Sequence, residues 1–326
     1  MTRGLWRTRL GFILAASGSA IGLGNIWKFP YITGQNGGGA FVLVYLVCVL
    51  LVGWPIMLAE FALGRRTRLN AVGAFRAIRP NSPWVIPGLM AAVACFLILS
   101  FYCVVGGWTL AFVVKSLTQA VAGFGSLEAA SQYFGLFISH TAESLAYHAL
   151  FLTLCVAIVI QGVQGGIEKA CLVLMPAMVL LLLALMVHSL TLPAAMEGLT
   201  FYLYPDFSKI TPAVVLIALG QAFFSLSLGM GIMITYGSYL SAGENLVGCT
   251  LSVVLFDTLI AILVGMVIFP AVYAMGFAPT EGPSLVFSVL PAVFSNLPYG
   301  EIVAVIFFVL LSIAAITSGI SLLESV

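Results

Sequence analysis

Long runs of apolar residues, separated by short polar segments, occupy most of this 326-residue chain. A helix needs about 20 mainly apolar residues to cross the hydrocarbon core of a bilayer. Eight runs, which we number as spans 1–8, reach that length near residues 10–34, 39–64, 84–118, 146–164, 168–190, 211–240, 246–274 and 299–326. Turn-forming sequences such as NGGG at 36–39 and RPNSP at 79–83 separate some of these runs. The pattern predicts an all-α polytopic membrane protein with about eight spans.

The positions of the basic residues predict the orientation of the chain in the membrane. One cluster precedes span 1 and a second follows span 2; they comprise Arg3, Arg7 and Arg9, then Arg65, Arg66, Arg68, Arg76 and Arg79. The loops at 119–145 and 275–298 contain glutamates but no lysine or arginine. Because cytoplasmic loops are enriched in basic residues, we expect both clusters inside and both of these loops outside. The prediction is a protein of the cell inner (plasma) membrane with a cytoplasmic N-terminus.

The composition narrows the classes of function. Hydrophobic residues make up 62% of the chain and charged residues 7%, whereas soluble domains carry roughly a quarter charged residues. A net charge of +1 gives no reason to expect a nucleic-acid partner. The six cysteines form no CxxC pair, and the three histidines show no metal-ligand spacing. The sequence also lacks HExxH and GxSxG motifs, so we expect no enzyme activity.

Two of the spans contain sequences that break helices. Span 1 holds SGSAIGLGN at 17–25, and span 6 holds SLSLGMG at 225–231. Glycine in a helix interior costs about 1 kcal/mol relative to alanine, and unpaired backbone groups in hydrocarbon cost several kcal/mol each. Breaks persist where the freed groups line a cavity, and a matching pair indicates a transporter with inverted repeats. An alternative interpretation of GSAIG is a GxxxG motif that packs helices closely; Asn25 and Lys28 beside it favour a functional site.

Four stretches of the sequence resemble a single family. They are GSAIGLGNIWKFPY at 18–31, QNGGGAF at 35–41, GQAFFSLSLGMGIMITYGSY at 220–239 and AAITSGIS at 314–321. In content and order they resemble the opening segment and spans 6 and 8 of the neurotransmitter:sodium symporter family. The resemblance implies an inverted-repeat transporter fold with broken helices in spans 1 and 6. That family has eleven or twelve spans, so we expect residues 1–326 to form a single symporter domain that lacks the last spans and leaves the second repeat incomplete.

The same resemblance implies two sodium ions as co-transported ligands, and sodium is a hard cation that prefers oxygen ligands. The first ion is expected to contact the Ala20 carbonyl, the Asn25 amide oxygen, Ser225 and a group from span 7. The second is expected to contact the carbonyls of Gly18, Ile21 and Ala314 and the hydroxyls of Thr317 and Ser318. An alternative for the serines and threonines is hydrogen bonding to the preceding turn of their own helix.

Asp257 is the most informative single residue of span 7. A carboxylate in the middle of a span costs about 2.5–3.5 kcal/mol on insertion scales, and span 7 offers no lysine or arginine as a partner. We therefore expect Asp257 to bind the first sodium or to lie next to it. Two sodium ions, the substrate carboxylate and Asp257 then sum to zero charge, so transport is predicted to need no chloride. The alternative is a protonated aspartate that is hydrogen-bonded inside the bundle.

The expected substrate also follows from the resemblance. Amine carriers of the family have an aspartate where this chain has Gly22, so here the substrate is expected to bring its own carboxylate to the sodium. Tyr102 matches the tyrosine that binds this carboxylate, and nearby helix amino ends favour it. The complete set is Ser19, Ala20, Gly22, Leu23, Gly24, Ile98, Tyr102, Phe224, Ser225, Ser227, Met230, Ser318 and Leu322. An apolar lining with a flexible methionine predicts a neutral, hydrophobic or aromatic amino acid; another small zwitterion is the alternative.

The predicted gates lie on either side of this site. Lys28 and Phe224 are expected to close the outer side. The family usually has arginine at the position of Lys28, and its acidic partner lies on a later span, so a weaker outer gate is expected. A lysine that snorkels to the interface is the alternative. Trp6 and Arg3 are expected to help close the cytoplasmic side.

Span 5 carries Gly166 and Pro176 ten residues apart. Because proline frees a carbonyl one turn earlier, local unwinding is expected to open an inward path for the second sodium; an ordinary proline kink is the alternative. The function predicted from all these features is sodium-coupled uptake of a neutral, bulky amino acid by alternating access. The expected partners are sodium, this small-molecule substrate and membrane lipid. An ion channel is the rival from a different class, but the polar groups converge at mid-depth, as in a closed binding site.

Overall fold

The computed structural model describes residues 4–120, 124, 126–276 and 285–326, and most of these residues are helical. The α-helices are α1 (Arg9–Ala20), α2 (Phe29–Gln35), α3 (Gly39–Cys48), α4 (Trp54–Thr67), α5 (Ala71–Ile78), α6 (Val85–Leu117), α7 (Leu127–Ser139), α8 (Thr141–Val159), α9 (Lys169–Leu190), α10 (Ala195–Leu203), α11 (Pro212–Ser225), α12 (Ile232–Ser238), α13 (Leu246–Ala274), α14 (Val289–Ser295) and α15 (Gly300–Ser325). Three π-helical segments, Gly24–Lys28, Val49–Gly53 and Val163–Glu168, adjoin α2, α4 and α9, and Phe207–Lys209 forms a short 3₁₀ turn.

The spans predicted from hydropathy lie close to their predicted positions. Six continuous helical segments in the described part of the chain are long and apolar enough to cross a membrane: Gly39–Thr67, Val85–Leu117, Thr141–Val159, Val163–Leu190, Leu246–Ala274 and Gly300–Ser325. A further span is the pair Arg9–Ala20 and Gly24–Gln35, which is bent by 49°. Span 6 consists of α11 and α12 with residues 226–231 between them. The multi-pass helical architecture is therefore confirmed, and a break interrupts each of spans 1 and 6.

Four short helices, α5, α7, α10 and α14, lie in segments predicted to be connections. They contain 7 to 13 residues each, too few to cross a bilayer, so a search for long apolar runs does not detect them. Local contacts stabilise them: the Ser126 hydroxyl accepts a hydrogen bond from the Ala129 amide at the start of α7. Later in α7, the Phe137 ring packs edge-on against Phe112 of α6. The predicted loop at 119–145 is thus largely helical.

The first half of span 1 lies at the centre of the bundle. α1 packs against α9, α13 and α15, and residues 15–20 are all buried. Gly18 allows one close approach, because a Cβ there would lie 3.0 Å from Met175 Sδ and 3.2 Å from Thr317 Cβ. The alternative interpretation of GSAIG is close helix packing at glycine. The structure shows both features, because Gly18 packs closely against its neighbours and the helix also breaks after Ala20.

The backbones of α4 and α12 are in direct contact. A Cβ at Gly64 would collide with the Ile234 carbonyl, and one at Gly237 would lie 2.7 Å from the Phe61 carbonyl oxygen. Glycine at both positions lets two membrane helices approach more closely than larger side chains permit. This contact joins the end of span 6 to the end of span 2.

Candidate functional site

The break in span 1 frees backbone carbonyls at the centre of the bundle. α1 ends at Ala20, and Ile21 adopts an extended conformation with ψ of 94°. The Ser318 hydroxyl of α15 lies within 3.2 Å of the Gly18 carbonyl oxygen, 3.1 Å of that of Ser19 and 3.4 Å of that of Ile21. A hydroxyl carries one hydrogen and cannot donate to three acceptors at once. The break therefore gathers four oxygen atoms within a few ångströms.

The break in span 6 has a different backbone geometry. Ser227, Gly229 and Gly231 all have positive φ, at 53°, 78° and 76°, a conformation that glycine adopts without the steric cost that other residues pay. The Ser227 hydroxyl donates a hydrogen bond of 3.0 Å to the Ser19 carbonyl, so the two breaks contact each other. The Gly229 amide donates a 2.8 Å bond to Glu60 of α4.

A narrow cavity of about 30 Å³ lies between the two breaks. Its lining is Ser19, Ala20, Gly22, Leu23, Gly24, Ile98, Tyr102, Phe224, Ser227, Met230, Ile232, Ser318, Ser321 and Leu322. The structure thus brings together every residue of the expected substrate set except Ser225, which lies deeper, beside Asp257. The sequence analysis did not identify Ile232 and Ser321. Ser321 lies one helical turn beyond Ser318 on α15, so helical spacing was the signal that could have found it.

Gly22 is the point of closest approach in this cavity. A Cβ at this position would collide with the Ser318 hydroxyl and would lie 2.8 Å from the Tyr102 hydroxyl. The Leu23 amide donates a hydrogen bond of 3.3 Å to the Tyr102 hydroxyl. The missing side chain of Gly22 therefore leaves one backbone amide and two hydroxyl groups converging on one part of the cavity, an arrangement that suits an anionic group.

Asp257 lies at the centre of a second polar cluster. The Asn25 amide donates a 2.8 Å bond to one carboxylate oxygen and the Ser225 hydroxyl donates a 2.9 Å bond to the other. Asp257 and Asn25 are both 0% exposed, and the amide oxygen of Asn25 has no hydrogen-bond partner among the described residues. An unpaired buried oxygen beside a carboxylate is an arrangement that suits a cation.

Two buried polar residues that contact these groups or the first break were not identified from the sequence. The Tyr45 hydroxyl of α3 donates a 3.2 Å bond to the Ser225 hydroxyl. Gln221 donates a 3.2 Å bond to the Gly24 carbonyl, and its own side-chain oxygen has no partner in the described part of the chain. A buried glutamine in a membrane span is as unusual as the asparagine in span 1, and that was the available signal.

The expected second set of sodium ligands is only partly assembled. Gly18, Ile21 and Ser318 converge as described above, and Thr317 lies next to Gly18. The Thr317 hydroxyl, however, donates to the Ala314 carbonyl at 3.1 Å within its own helix. This is the hydrogen bond to the preceding turn that the alternative interpretation of span 8 anticipated.

Phe224 separates the inner cavity from a larger outer one. The outer cavity, with a volume of about 270 Å³, is lined by Leu23, Trp27, Lys28, Tyr31, Phe101, Tyr102 and Phe224. Lys28 places its ammonium 3.9 Å from the centre of the Phe224 ring, a distance typical of a cation–π contact. Within the described ranges, no carboxylate forms an ion pair with Lys28. Lys28 therefore covers the aromatic ring that divides the two cavities.

The opposite side of the site is closed by the segment that precedes α1. The Trp6 indole donates a 3.0 Å bond to the Tyr236 carbonyl, and its ring is 7% exposed. Glu168, 2% exposed, accepts bonds from the Arg7 amide at 2.8 Å and the Thr8 amide at 3.0 Å. Glu168 was not identified from the sequence, because its partners lie about 160 residues away. Arg3, the other residue expected here, lies outside the described residues.

Span 5 contains both residues of the expected inward path. Gly166 lies in the π-helical segment Val163–Glu168, which follows Gly162 with a φ of 77°. Pro176 lies inside α9, which continues as a helix on both sides of it. The irregular backbone of span 5 is therefore at the start of the span, where Glu168 contacts the residues that precede α1.

Comparison with known proteins identifies the family. The sequence model of the sodium:neurotransmitter symporter family matches residues 3–125 and 137–326. The chain is 46% identical over 322 residues to an uncharacterised sodium-dependent transporter of Bacillus subtilis, covering 98% of this chain and 70% of that protein. It is 39% identical over 331 residues to one of Haemophilus influenzae, covering 99% and 72%. The crystal structure of MhsT in complex with L-phenylalanine matches with a TM-score of 0.91 at 49% identity, covering 99% of this chain and 73% of that chain. The chain therefore belongs to the sodium:neurotransmitter symporter family, whose members are multi-pass membrane transporters with sodium as a co-transported ion.

Proposed function

We propose that this symporter couples sodium entry to the uptake of a neutral amino acid with a hydrophobic or aromatic side chain. The observation that carries the proposal is the cavity between the two breaks. One end of it presents the Tyr102 hydroxyl, the Ser318 hydroxyl and the backbone exposed by Gly22. The matching structure, MhsT, was crystallised with L-phenylalanine, which supports a substrate of this class.

The substrate carboxylate would lie at the end of the cavity next to Gly22. Tyr102 can donate its hydroxyl proton there, and the amino end of the helix that begins at Gly24 adds a partial positive charge. The remaining wall is apolar and includes Ile98, Met230 and Leu322. Such a wall stabilises an apolar side chain by about 25 cal/mol for each Å² removed from water and offers no partner to a charged one.

The first sodium would bind beside Asp257. Its ligands would be the Asn25 amide oxygen, which has no partner among the described residues, together with Ser225, Asp257 and the Ala20 carbonyl. Asp257 supplies a fixed negative charge next to this ion, so the pair is neutral without an anion from solution. We therefore propose that uptake is independent of chloride.

The second sodium would bind where the Ser318 hydroxyl meets the carbonyls of Gly18 and Ile21. Thr317 would join this site by turning its hydroxyl away from the Ala314 carbonyl, and Ala314 would contribute the carbonyl that is released. The bound ion would then hold the broken part of span 1 against α15. Two ions moving inward supply the driving force, about 2.3 kcal/mol per charge for each 100 mV.

Alternating access would require two barriers that open in turn. The outer barrier is Phe224 with Lys28 above it, and the inner one is the Trp6 segment held by Glu168. With the N-terminus in the cytoplasm, loosening of span 5 at Gly166 would release this segment and open the path for the second sodium.

The proposal is tested by equilibrium binding to the purified full chain in nanodiscs. Radiolabelled phenylalanine, leucine, glycine, glutamate and dopamine would be compared in sodium chloride, sodium gluconate and choline chloride. We expect saturable binding of phenylalanine and leucine in both sodium salts and none in choline. Binding of glycine or dopamine alone would contradict the proposed substrate class. Loss of binding in sodium gluconate would show that chloride is required. Binding that does not depend on sodium would refute the coupling.

A further inference from the structure

Ser19 and Ser321 form a hydroxyl pair in the inner cavity, which we call the serine pair. The Ser19 hydroxyl donates a 2.7 Å hydrogen bond to the Ser321 hydroxyl, and both residues line the cavity. Ser19 lies on α1, three residues before Gly22, which follows the end of that helix. Ser321 lies three residues after Ser318 on α15. Both steps lead toward the Trp6 end of the bundle, where the Tyr239 hydroxyl bonds Glu324 and the Trp6 amide donates to the Tyr239 carbonyl.

The serine pair is therefore a second polar level below that of Gly22 and Ser318. On the continuous helix α15, the three residues from Ser318 to Ser321 rise by about 4.5 Å. The apolar residues Ile98, Met230 and Leu322 line the same cavity. An amino acid whose carboxylate lies at the upper level would extend its side chain toward the lower one.

The hydrogen atoms of the serine pair are already used. Ser19 donates its proton to Ser321, and Ser321 donates its own to the Ser318 carbonyl at 2.8 Å. Each hydroxyl oxygen has two lone pairs, and no group of the described residues donates a hydrogen bond to the Ser19 hydroxyl. In this arrangement both protons of the pair are engaged, and the Ser19 oxygen can accept a further hydrogen bond.

We propose that the serine pair accepts a hydrogen bond from a donor at the far end of an aromatic substrate, with Ser19 as the acceptor and Ser321 as the residue that holds it. The chemical class is an aromatic amino acid that carries a hydrogen-bond donor on its ring, such as the phenol of tyrosine. This inference rests on the proposed function and specifies the substrate of the same site.

The preference for a ring donor should be moderate. A site whose polar groups lack partners rejects an apolar substrate strongly, because those groups are then buried unpaired. Here the two hydroxyls satisfy each other in the absence of a ligand donor. An unsubstituted ring therefore still binds, and a donor adds the net value of one neutral hydrogen bond, about 3–10-fold in affinity.

The test is a competition experiment with the full chain in saturating sodium. Radiolabelled L-phenylalanine is displaced by L-tyrosine or by L-4-fluorophenylalanine, which has a substituent at the same ring position but no proton to donate. The proteins are the wild type, Ser19→Ala, Ser321→Ala and the double variant. The control is Ser312→Ala, because Ser312 is a buried serine of α15 whose hydroxyl bonds Thr109 and does not line the cavity.

We expect wild type and the Ser312→Ala control to bind tyrosine about 3–10 times more tightly than 4-fluorophenylalanine. In the double variant the ratio of the two dissociation constants should fall to about 1. A wild-type ratio near 1 would overturn the inference, and so would a preference for tyrosine that persists in the double variant. In either case, sodium-dependent binding of phenylalanine would still support the proposed function. Wild type that binds no phenylalanine in sodium would overturn both. If the double variant does not fold, two other measurements test the inference. Ser19→Ala alone must lose the preference for tyrosine over 4-fluorophenylalanine, and O-methyltyrosine, which has no phenol proton, must bind wild type no more tightly than 4-fluorophenylalanine.

Discussion

Glu168 offers a direct test of how the side of the site next to Trp6 is held closed. Its carboxylate accepts hydrogen bonds from the Arg7 amide, the Thr8 amide and the Thr8 hydroxyl at 2.8–3.0 Å. The Thr8 hydroxyl in turn accepts a 2.9 Å bond from the Gly11 amide and so caps α1. We therefore predict that Glu168→Gln loosens the start of α1 without unfolding the protein.

The size of this effect can be estimated from the three bonds. Glutamine keeps one acceptor oxygen but places an NH₂ group where the second oxygen stood, so one backbone amide is left facing another donor. Hydrogen bonds to a charged group contribute about 1.5–3 kcal/mol each. Loss of one bond and weakening of the other two gives about 2 kcal/mol, which corresponds to a roughly 30-fold increase in the population of the open segment.

Hydrogen–deuterium exchange measures this population directly. Exchange of a peptide that covers residues 4–12 should rise about 30-fold in Glu168→Gln, because each amide exchanges from the open form. The apparent affinity for substrate added from outside should fall in parallel, since fewer molecules are in the competent state. The matched control is Glu197→Gln, a substitution of an exposed glutamate on α10.

An increase of less than threefold at residues 4–12, with the thermal midpoint unchanged, would refute this reasoning. A similar increase in the Glu197→Gln control would also refute it, because the effect would then come from the loss of charge rather than from the three bonds. Exchange in α13 serves as the reference for global unfolding.

Three further predictions concern the cavity. Gly22→Ala places a Cβ against the hydroxyls of Ser318 and Tyr102; overpacking of this kind costs about 1–3 kcal/mol, so the dissociation constant for phenylalanine should rise at least fivefold, and an unchanged constant would contradict the placement of the carboxylate. Asp257→Asn removes the charge that the Asn25 amide contacts; the sodium concentration for half-maximal binding should rise about tenfold or more, and an unchanged sodium dependence would exclude Asp257 from the first site. Phe224→Ala joins the two cavities; dissociation of bound phenylalanine should accelerate at least tenfold in a filter-binding chase, and an unaltered rate would show that the ring is not a barrier.

The spans and the first break were predictable because their causes are local. About 20 apolar residues specify a membrane helix whatever its neighbours are, and the glycines around Ile21 lower the cost of leaving the helix where the structure bends by 49°. The lining of the cavity was predictable for a different reason. It follows from a resemblance to a family, and the residues that meet there come from spans 1, 3, 6 and 8.

The parts that were missed depend on contacts between distant residues. Tyr45 reaches Ser225 across 180 positions, and nothing in the sequence around Tyr45 indicates that contact. Gln221 carried a local signal, a buried amide in a membrane span, but its role depends on the Gly24 carbonyl of another helix. The short helices α7 and α14 fall below the length at which hydropathy is informative. The Ser126 cap stabilises α7, and the contact between Phe294 and Phe307 holds α14 against α15.

The glycine contact between α4 and α12 has a mechanical consequence for transport. Because the backbones touch at Gly64 and Gly237, no side chains separate the two helices at these positions. We therefore expect α4 and α12 to move together as one rigid body. Span 6 then consists of α12, which is fixed to α4, and α11, which packs against α3 instead. The positive-φ residues lie between these two helices. A larger residue at position 64 would push α12 away from α4. We expect such a substitution to slow the transport cycle, although Gly64 lies outside the lining of the cavity.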